Sequence, residues 1–224
     1  TPPVAWEFDT MSALASKPAI AGDVLVVGAR VTNRLHAIDT ETGEEIWHFE
    51  SPRGFDADPT IVDDIVYIGS LSGTMYALDL DDGSMLWEYD TENSIKGGAL
   101  IDDDRVYVGT IPAAFVALDR ETGEEVWTAE FDTDLGFSVE INTAPVAITA
   151  AGQDVIGVGV TDAGFYLFEP ATGEQVERIQ LPGGVWFSNP LVLDRDDGGQ
   201  EVFVGTSNQN SGALARINLD DLVV

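Results

Sequence analysis

The feature that most constrains this chain is a fifteen-residue segment that recurs every 40 residues. It reads HAIDTETGEEIWHFE at 36–50, YALDLDDGSMLWEYD at 76–90 and VALDRETGEEVWTAE at 116–130. A fixed period of this length indicates that one supersecondary unit is repeated along the chain. The shared pattern, A-x-D-x-x-x-G-x-x-x-W, falls on Ala37, Asp39, Gly43 and Trp47, on Ala77, Asp79, Gly83 and Trp87, and on Ala117, Asp119, Gly123 and Trp127.

Each repeat also contains a short β-branched run that ends in glycine. These runs are VLVVG, IVYIG, RVYVG, VIGVG and VFVG. A run that is apolar on both faces predicts a buried strand, and a shorter strand follows the Pro or Gly before it. The motif adds two more strands, joined by a turn in which glycine takes a positive φ and aspartate accepts hydrogen bonds from the loop. Four strands in 40 residues, here lettered a to d, predict a β-propeller blade whose Trp packs against the next blade.

The repeated pattern resembles the tryptophan-docking motif of the pyrroloquinoline-quinone (PQQ)-like β-propeller repeats. The resemblance covers nearly the whole chain and is strong in three copies. It fades in LFEPATGEQVE, where Glu177 replaces Trp, and in RINLDDL. It implies an all-β propeller of four-stranded blades. The family includes quinoprotein alcohol dehydrogenases, the outer-membrane-assembly lipoprotein and many proteins without a quinone, so the resemblance leaves the activity open.

The N-terminal segment predicts how the propeller closes. Residues 4–10, VAWEFDT, have the pattern of strand d with Trp6 in the tryptophan position, whereas the last copy lacks a strand d. We therefore expect residues 1–10 to complete the last blade and remove its open edge. The alternative is a fragment of a seven- or eight-bladed propeller. The expected single domain has five blades, at about 11–50, 51–90, 91–130, 131–180, and 181–224 plus 1–10.

The charge of the chain limits its partners and its habitat. It has 40 acidic against 10 basic residues, a net charge of −30, and no cysteine. Such a surface repels nucleic acids and anionic membranes, and the lack of cysteine removes disulfides and thiolate metal sites. A carboxylate-rich, lysine-poor surface is typical of halophilic archaea, where about 1 M salt shortens the Debye length to roughly 3 Å. No apolar run is long enough to predict a transmembrane segment.

One face of the predicted propeller favours ligand binding. The d–a and b–c loops share this face, and they carry half of the basic residues as well as aromatic ones. Its longest loop, 131–144, exceeds its counterparts by six residues, and long loops on a rigid scaffold often carry function. A tolerated insertion is the alternative explanation. The candidate ligand-binding residues on this face are Arg34, Arg53, Phe55, Lys96, Phe137, Glu140, Asn142 and Trp186.

Cofactor and metal sites are weakly indicated. Glu140 and Asn142 are the acid–amide pair we nominate for PQQ and Ca²⁺, but the resemblance implies eight blades and often a vicinal disulfide for the dehydrogenases. DRDDGGQE at 194–201 resembles an Asp- and Gly-rich calcium loop, although it is one residue short and a solvated hairpin is the alternative. His36 and His48 are too few to form a zinc site. If the loop binds a metal, its ligands are Asp194, Asp196 and Glu201.

We therefore expect a non-catalytic scaffold that binds a protein or a small molecule without a cofactor. We expect it outside the cell or attached to the cell envelope, with the cytoplasm as the alternative. A PQQ- and calcium-dependent oxidoreductase, or a piece of one, is an alternative function, and a sensor domain of a larger signalling protein is another. Any chemistry is expected beside the degenerate copies, where the Trp is lost and the long loop precedes the blade.

Overall fold

The computed structural model describes residues 3–131, 139–150, 152–162, 164–186, 188–208 and 211–219. Over these ranges the chain consists of strands and turns, and no helix is present that is long and apolar enough to span a membrane. The chain forms two compact units, residues 1–99 and residues 100–224. Each unit has its own sheets.

The first unit holds two four-stranded antiparallel sheets in which neighbouring strands follow one another along the chain. The second and third strands of each sheet are the most buried, because they are apolar on both faces. The first sheet contains β1 (Ala19–Ala21), β2 (Val24–Gly28), β3 (Arg34–Asp39) and β4 (Glu45–Glu50). The second contains β5 (Thr60–Val62), β6 (Ile65–Gly69), β7 (Thr74–Asp79) and β8 (Met85–Asp90).

The second unit holds two further sheets of this kind and one sheet with three strands. The first contains β9 (Leu100–Ile101), β10 (Arg105–Gly109), β11 (Ala114–Asp119) and β12 (Glu125–Glu130). The second contains β13 (Val146–Ala150), β14 (Gln153–Val160), β15 (Gly164–Phe168) and β16 (Gln175–Gln180). The third contains β17 (Leu191–Asp194), β18 (Gln200–Asn208) and β19 (Ser211–Asn218).

A shared irregularity in the third and fourth strands sets the position of each tryptophan. The pairing shifts by one residue beside the repeated turn, and Ala37 then lies opposite Trp47. The same shift places Ala77 opposite Trp87 and Leu167 opposite Glu177. The small alanine leaves room for the indole ring, whereas the larger leucine is paired with a residue other than tryptophan.

The structure confirms the all-β fold and the predicted antiparallel strands. It differs from the sequence prediction at one segment, because residues 4–10 form no strand, and the sheet of β17 to β19 has three strands among the described residues. The five-bladed ring closed by residues 1–10, and the blade boundaries that depend on it, stay predictions.

Candidate functional site

The three tryptophans whose contacts lie within one unit all pack on the glycine of a repeated turn. Trp47 Nε1 donates to the carbonyl of Leu80 at 2.8 Å, and a Cβ atom placed on Gly83 would come within 2.7 Å of the Trp47 ring. Trp127 contacts the turn at Gly173 in the same way. Trp6 does so at Gly43, although its own segment forms no strand. These tryptophans are therefore packing residues rather than ligand contacts.

The acidic residue of each turn holds the turn together. Asp39 Oδ1 accepts hydrogen bonds from Thr42 N at 2.7 Å and Thr42 Oγ1 at 2.9 Å, and Asp119 makes the same two contacts with Thr122. These bonds, the backbone bond first, hold the pKa values of Asp39 and Asp119 below their ordinary range. In the degenerate copy Glu169 substitutes for the aspartate and binds Thr172. The turns are thus structural.

The candidate ligand residues of the first unit do not form a common site. Arg34 is paired with Glu50 at 2.7 Å, and Arg53 is exposed. Phe55 was predicted to lie on the loop face, but it is fully buried, because it packs against Gly28. Lys96 is partly buried and forms no ion pair with any residue that the structure describes.

Glu140 and Asn142, at the end of the long loop, are brought together by the structure. Asn142 Nδ2 donates to Glu140 Oε2 at 2.9 Å, and the buried Asn142 Oδ1 has no hydrogen-bond partner among the residues that the structure describes. Within the same described part of the chain, the neighbouring Thr143 hydroxyl is also buried without a partner. Phe137 lies outside the described residues.

Trp186 lies at an open groove of about 540 Å³ in the second unit. Its side chain is 40% exposed, and its indole N–H has no acceptor among the residues that the structure describes. The groove lies between the loop that follows β16 and the adjoining ends of β18 and β19, which is the predicted d–a and b–c face. Its lining residues are Trp186, Ser188, Gly205, Thr206, Ser207, Gly212, Ala213 and Leu214.

Backbone hydrogen bonds fix the loops around this groove. Ser207 N donates to the carbonyl of Gly184 at 2.9 Å, and Val185 N donates to the carbonyl of Val160 at 3.1 Å. Thr161 N donates to the carbonyl of Glu140, also at 3.1 Å. The end of the long loop, the turn after β14 and the Trp186 loop therefore form one continuous, preformed rim.

The sequence did not indicate a polar cluster in the same region. Tyr166 Oη donates to Asp162 Oδ2 at 2.5 Å, and Arg178 Nε donates to Tyr166 Oη at 2.8 Å. Arg178 Nη2 also reaches Asp162 at 3.2 Å. Burial, and then the hydrogen bond to Asp162, raise the pKa of Tyr166 to about 12. The only related feature of the sequence is that Arg178 follows Glu177 directly in the copy that lost its tryptophan, and this does not indicate its partners.

The residues nominated for a calcium loop, Asp194, Asp196 and Glu201, are not brought together in the described part of the chain. Asp194 accepts a hydrogen bond from Gln200, whereas Glu201 points into the sheet and pairs with Arg216 at 2.7 Å. Asp196 joins neither of them. No group of three or more carboxylate, histidine or cysteine side chains in the described part of the chain is placed to hold a metal ion.

The two histidines lie opposite each other on β3 and β4. His36 is buried, and its Nδ1 donates to Glu45 Oε1 at 2.6 Å, while His48 Nδ1 contacts Glu45 Oε2 at 3.3 Å. Burial alone would raise the pKa of Glu45, but the two histidines together outweigh it and lower the pKa. The cluster links the two strands of the β3–β4 hairpin.

Comparison with known proteins identifies the class. Three solved structures are similar over most of this chain, with the same propeller fold. BamB from Moraxella catarrhalis has 24% identity and a TM-score of 0.68, over 91% of this chain and 64% of that one. The quinohemoprotein alcohol dehydrogenase ADHIIG from Pseudomonas putida HK5 has 15% identity and a TM-score of 0.75, over 90% and 46%. The quinohemoprotein alcohol dehydrogenase from Comamonas testosteroni has 17% identity and a TM-score of 0.66, over 89% of this chain and 40% of that one.

These sheets and matches define a β-propeller of the PQQ type. A family model described as outer membrane protein assembly factor BamB matches residues 3–96 and 92–221, so the chain belongs to that family. No curated protein sequence matches the chain significantly. The chain spans 64% of the length of the Moraxella protein and less than half of either dehydrogenase.

Proposed function

We propose that this chain is a non-catalytic scaffold that binds a protein partner in the cell envelope of a halophile. The observation that carries the proposal is the groove at Trp186, an exposed aromatic ring beside apolar residues on a preformed rim. The family description, an assembly factor of the outer membrane, supports an envelope location and a protein partner. The net charge of −30 supports a high-salt habitat.

The chemistry of the groove favours binding over catalysis. None of the described residues that line it has an ionisable side chain. Ser188 Oγ accepts a hydrogen bond from Gly205 N, and Thr206 Oγ1 contacts the carbonyl of Ala213, so these hydroxyls are already used within the protein. The Trp186 N–H remains as a donor toward a ligand. A largely apolar pocket with a few orienting polar groups, here the Trp186 N–H and the exposed Ser207 hydroxyl, is typical of a binding site rather than of acid–base catalysis.

A quinone-dependent oxidoreductase is the alternative, and the quinohemoprotein neighbours are the reason to test it. The described residues do not fit that group. Glu140 and Asn142 supply one carboxylate and one amide that are bonded to each other. Calcium beside such a cofactor takes about six to eight oxygen ligands. We therefore derive no reaction step through a quinone.

The binding function is tested with a displayed peptide library. Peptides are selected on the wild-type protein and counter-selected on Trp186→Ala, with Ile20→Ala as the control because Ile20 is 61% exposed and distant in sequence from the groove. We expect peptides that bind the wild type and Ile20→Ala but lose about tenfold or more of their affinity on Trp186→Ala. A library that yields no Trp186-dependent peptide contradicts the proposal.

The enzymatic alternative is tested separately. The protein is mixed with PQQ and Ca²⁺, and the quinone absorbance and the alcohol-dependent reduction of a dye are followed. We expect no saturable change in absorbance and no dye reduction. Saturable binding of PQQ together with alcohol-dependent dye reduction would contradict the scaffold function and support an oxidoreductase.

A further inference from the structure

Three loops of the first unit lie side by side. The loop between β2 and β3, residues 29–33, is held between the loop that precedes β1 and the loop that precedes β5. On one side, Val31 N donates to Ser12 Oγ at 2.7 Å. On the other side, Ser51 N donates to the carbonyl of Asn33 at 3.1 Å. The three loops therefore form one preformed surface.

Four side chains on this surface are exposed, and they are apolar or cationic. Met11 and Val31 are 80% and 70% exposed. Arg30 is held by an ion pair with Asp56 at 3.3 Å, yet its side chain stays 52% exposed. Arg53 is exposed and forms no ion pair with any residue that the structure describes. We call Met11, Arg30, Val31 and Arg53 the loop patch.

The second sheet has equivalent loops with polar residues in them. Met11 and Glu92 both have a positive φ, 51° and 60°, and both donate their N–H at 2.8 Å to the aspartate two residues earlier. Ser72 lies in the loop between β6 and β7, the counterpart of the loop that contains Val31. Glu92 is exposed and Ser72 is partly exposed. Both are therefore surface positions of the repeat at which the fold accepts a polar residue.

The apolar residues of the loop patch are thus explained by neither the fold nor a missing neighbour. All three loops fall within residues 3–99, which the structure describes without a gap. In a chain with a net charge of −30, exposed apolar side chains beside polar ones indicate an interaction site. The two arginines add donors that bind carboxylates. The chemistry that fits this surface is therefore apolar side chains flanked by carboxylates.

We propose that the loop patch binds an extended protein segment that presents apolar side chains flanked by carboxylates on one face. The apolar side chains cover Met11 and Val31, and the carboxylates pair with Arg30 and Arg53. The net charge of the chain repels long polyanions and anionic membranes, so a short segment is favoured over either. The inference goes beyond the proposed function, since no residue of the Trp186 groove takes part in it.

The test uses the capped peptide ESLSVSE, which in extended form presents Glu, Leu, Val and Glu on one face. Its binding to the complete chain is followed by NMR through the methyl signals of Met11 and Val31. The buffer contains about 1 M NaCl, so that repulsion by the net charge is screened. We expect saturable shifts of both signals. We expect KSLSVSK and ESASASE to bind about tenfold more weakly, because each lacks one half of the complementary chemistry.

A variant with the residues of the second sheet separates the patch from the fold. Met11→Glu combined with Val31→Ser removes the apolar surface and keeps residue types that the repeat accepts at these positions. Binding is measured by fluorescence anisotropy of labelled ESLSVSE, because the variant lacks both reporter methyl groups. We expect binding to weaken by about tenfold or more. Ile20→Ser is the control, since Ile20 is 61% exposed on β1 of the same sheet.

The cationic half of the patch is tested with Arg53→Gln. We expect this variant to bind ESLSVSE about threefold more weakly and to bind QSLSVSQ as the wild type does, because only the first peptide has carboxylates. An equal loss for both peptides would show that Arg53 does not pair with a carboxylate of the segment and would overturn this half of the proposal.

Other outcomes would overturn the whole proposal. Equal binding of ESLSVSE by the double variant is one, and a dimer in solution that depends on Val31 is another, because a second copy would then be the occupant. Methyl groups of Met11 and Val31 that a paramagnetic solvent probe does not reach in the free protein would show that the chain covers its own patch. Phosphatidylglycerol vesicles that bind the wild type but not the double variant would assign the patch to a membrane surface.

Trp186→Ala separates this inference from the proposed function. We expect this variant to bind ESLSVSE as the wild type does. Loss of binding would place the peptide in the Trp186 groove and overturn the loop patch. The displayed library tests the groove by itself, so either proposal can fail while the other stands.

Discussion

At the residue scale, two glycines with similar backbone conformations allow the energy of backbone strain to be measured apart from the energy of side-chain packing. Gly22 and Gly83 both have positive φ, +56° and +72°. A Cβ on Gly22 meets nothing within 4 Å, whereas one on Gly83 would lie 2.7 Å from the Trp47 ring. We expect Gly22→Ala to cost about 1–2 kcal/mol of unfolding free energy, and Gly83→Ala about 2–5 kcal/mol because overpacking is added. Urea denaturation measures both, and equal losses would mean that the ring contact carries no energy.

The carboxylate shared by His36 and His48 gives a pH-dependent prediction. We expect Glu45→Gln to lower the free energy of unfolding by about 1 kcal/mol at pH 7, since His36 Nδ1 loses a charged acceptor. The pKa of Glu45 is lowered in the folded protein. Its contribution is therefore complete above its unfolded pKa, about 4.3, and is lost as the pH falls through the lower folded value.

The measurement is the difference in unfolding free energy between the wild type and Glu45→Gln at pH 7 and at about pH 3. Glu44→Gln is the control, because the Glu44 side chain is exposed and contacts neither histidine. We expect the difference for Glu45→Gln to shrink at the lower pH and that for Glu44→Gln to stay near zero. A difference that is the same at both pH values would show that the charge of Glu45 is not its cause.

At the element scale, the sheet of β14 to β16, which has Glu177 in the tryptophan position, carries a polar cluster around the buried Asp162. The Asp162 side chain is 6% exposed and accepts from both Tyr166 and Arg178. We expect Asp162→Ala to cost about 3 kcal/mol, because the remaining guanidinium and hydroxyl lose their acceptor in a poorly solvated place. Glu50→Ala is the control, because it removes the partner of Arg34 from an ion pair at the surface, where the Glu50 side chain is 61% exposed. We expect it to lower the free energy of unfolding by about 0.5 kcal/mol. Equal costs in denaturation experiments would contradict the cluster's role.

The same elements show what the sequence could predict. The period of the motif and the β-branched runs predicted four strands correctly in four of the five described sheets, because side-chain alternation and turn chemistry are local properties. The Asp162 cluster was not predicted, since Asp162 from a turn and Tyr166 and Arg178 from two strands meet only through the register of β14 to β16. The burial of Phe55 in its loop was not predicted for the same reason, because a loop residue's burial depends on what packs over it, here Gly28. Trp186 was nominated because it falls in a predicted d–a loop, which is a local feature of the repeat.

At the scale of the whole molecule, surface charge should make stability depend on salt. Forty acidic residues against ten basic ones repel one another at low ionic strength. Raising NaCl from about 0.05 M to 1 M shortens the Debye length from more than 10 Å to roughly 3 Å and removes most of this repulsion. We expect the thermal midpoint to rise steadily over this range. Sucrose at matched osmolality is the control, since it favours compact states without screening charge. A midpoint that rises equally in sucrose, or stays flat in NaCl, would contradict a surface suited to high salt.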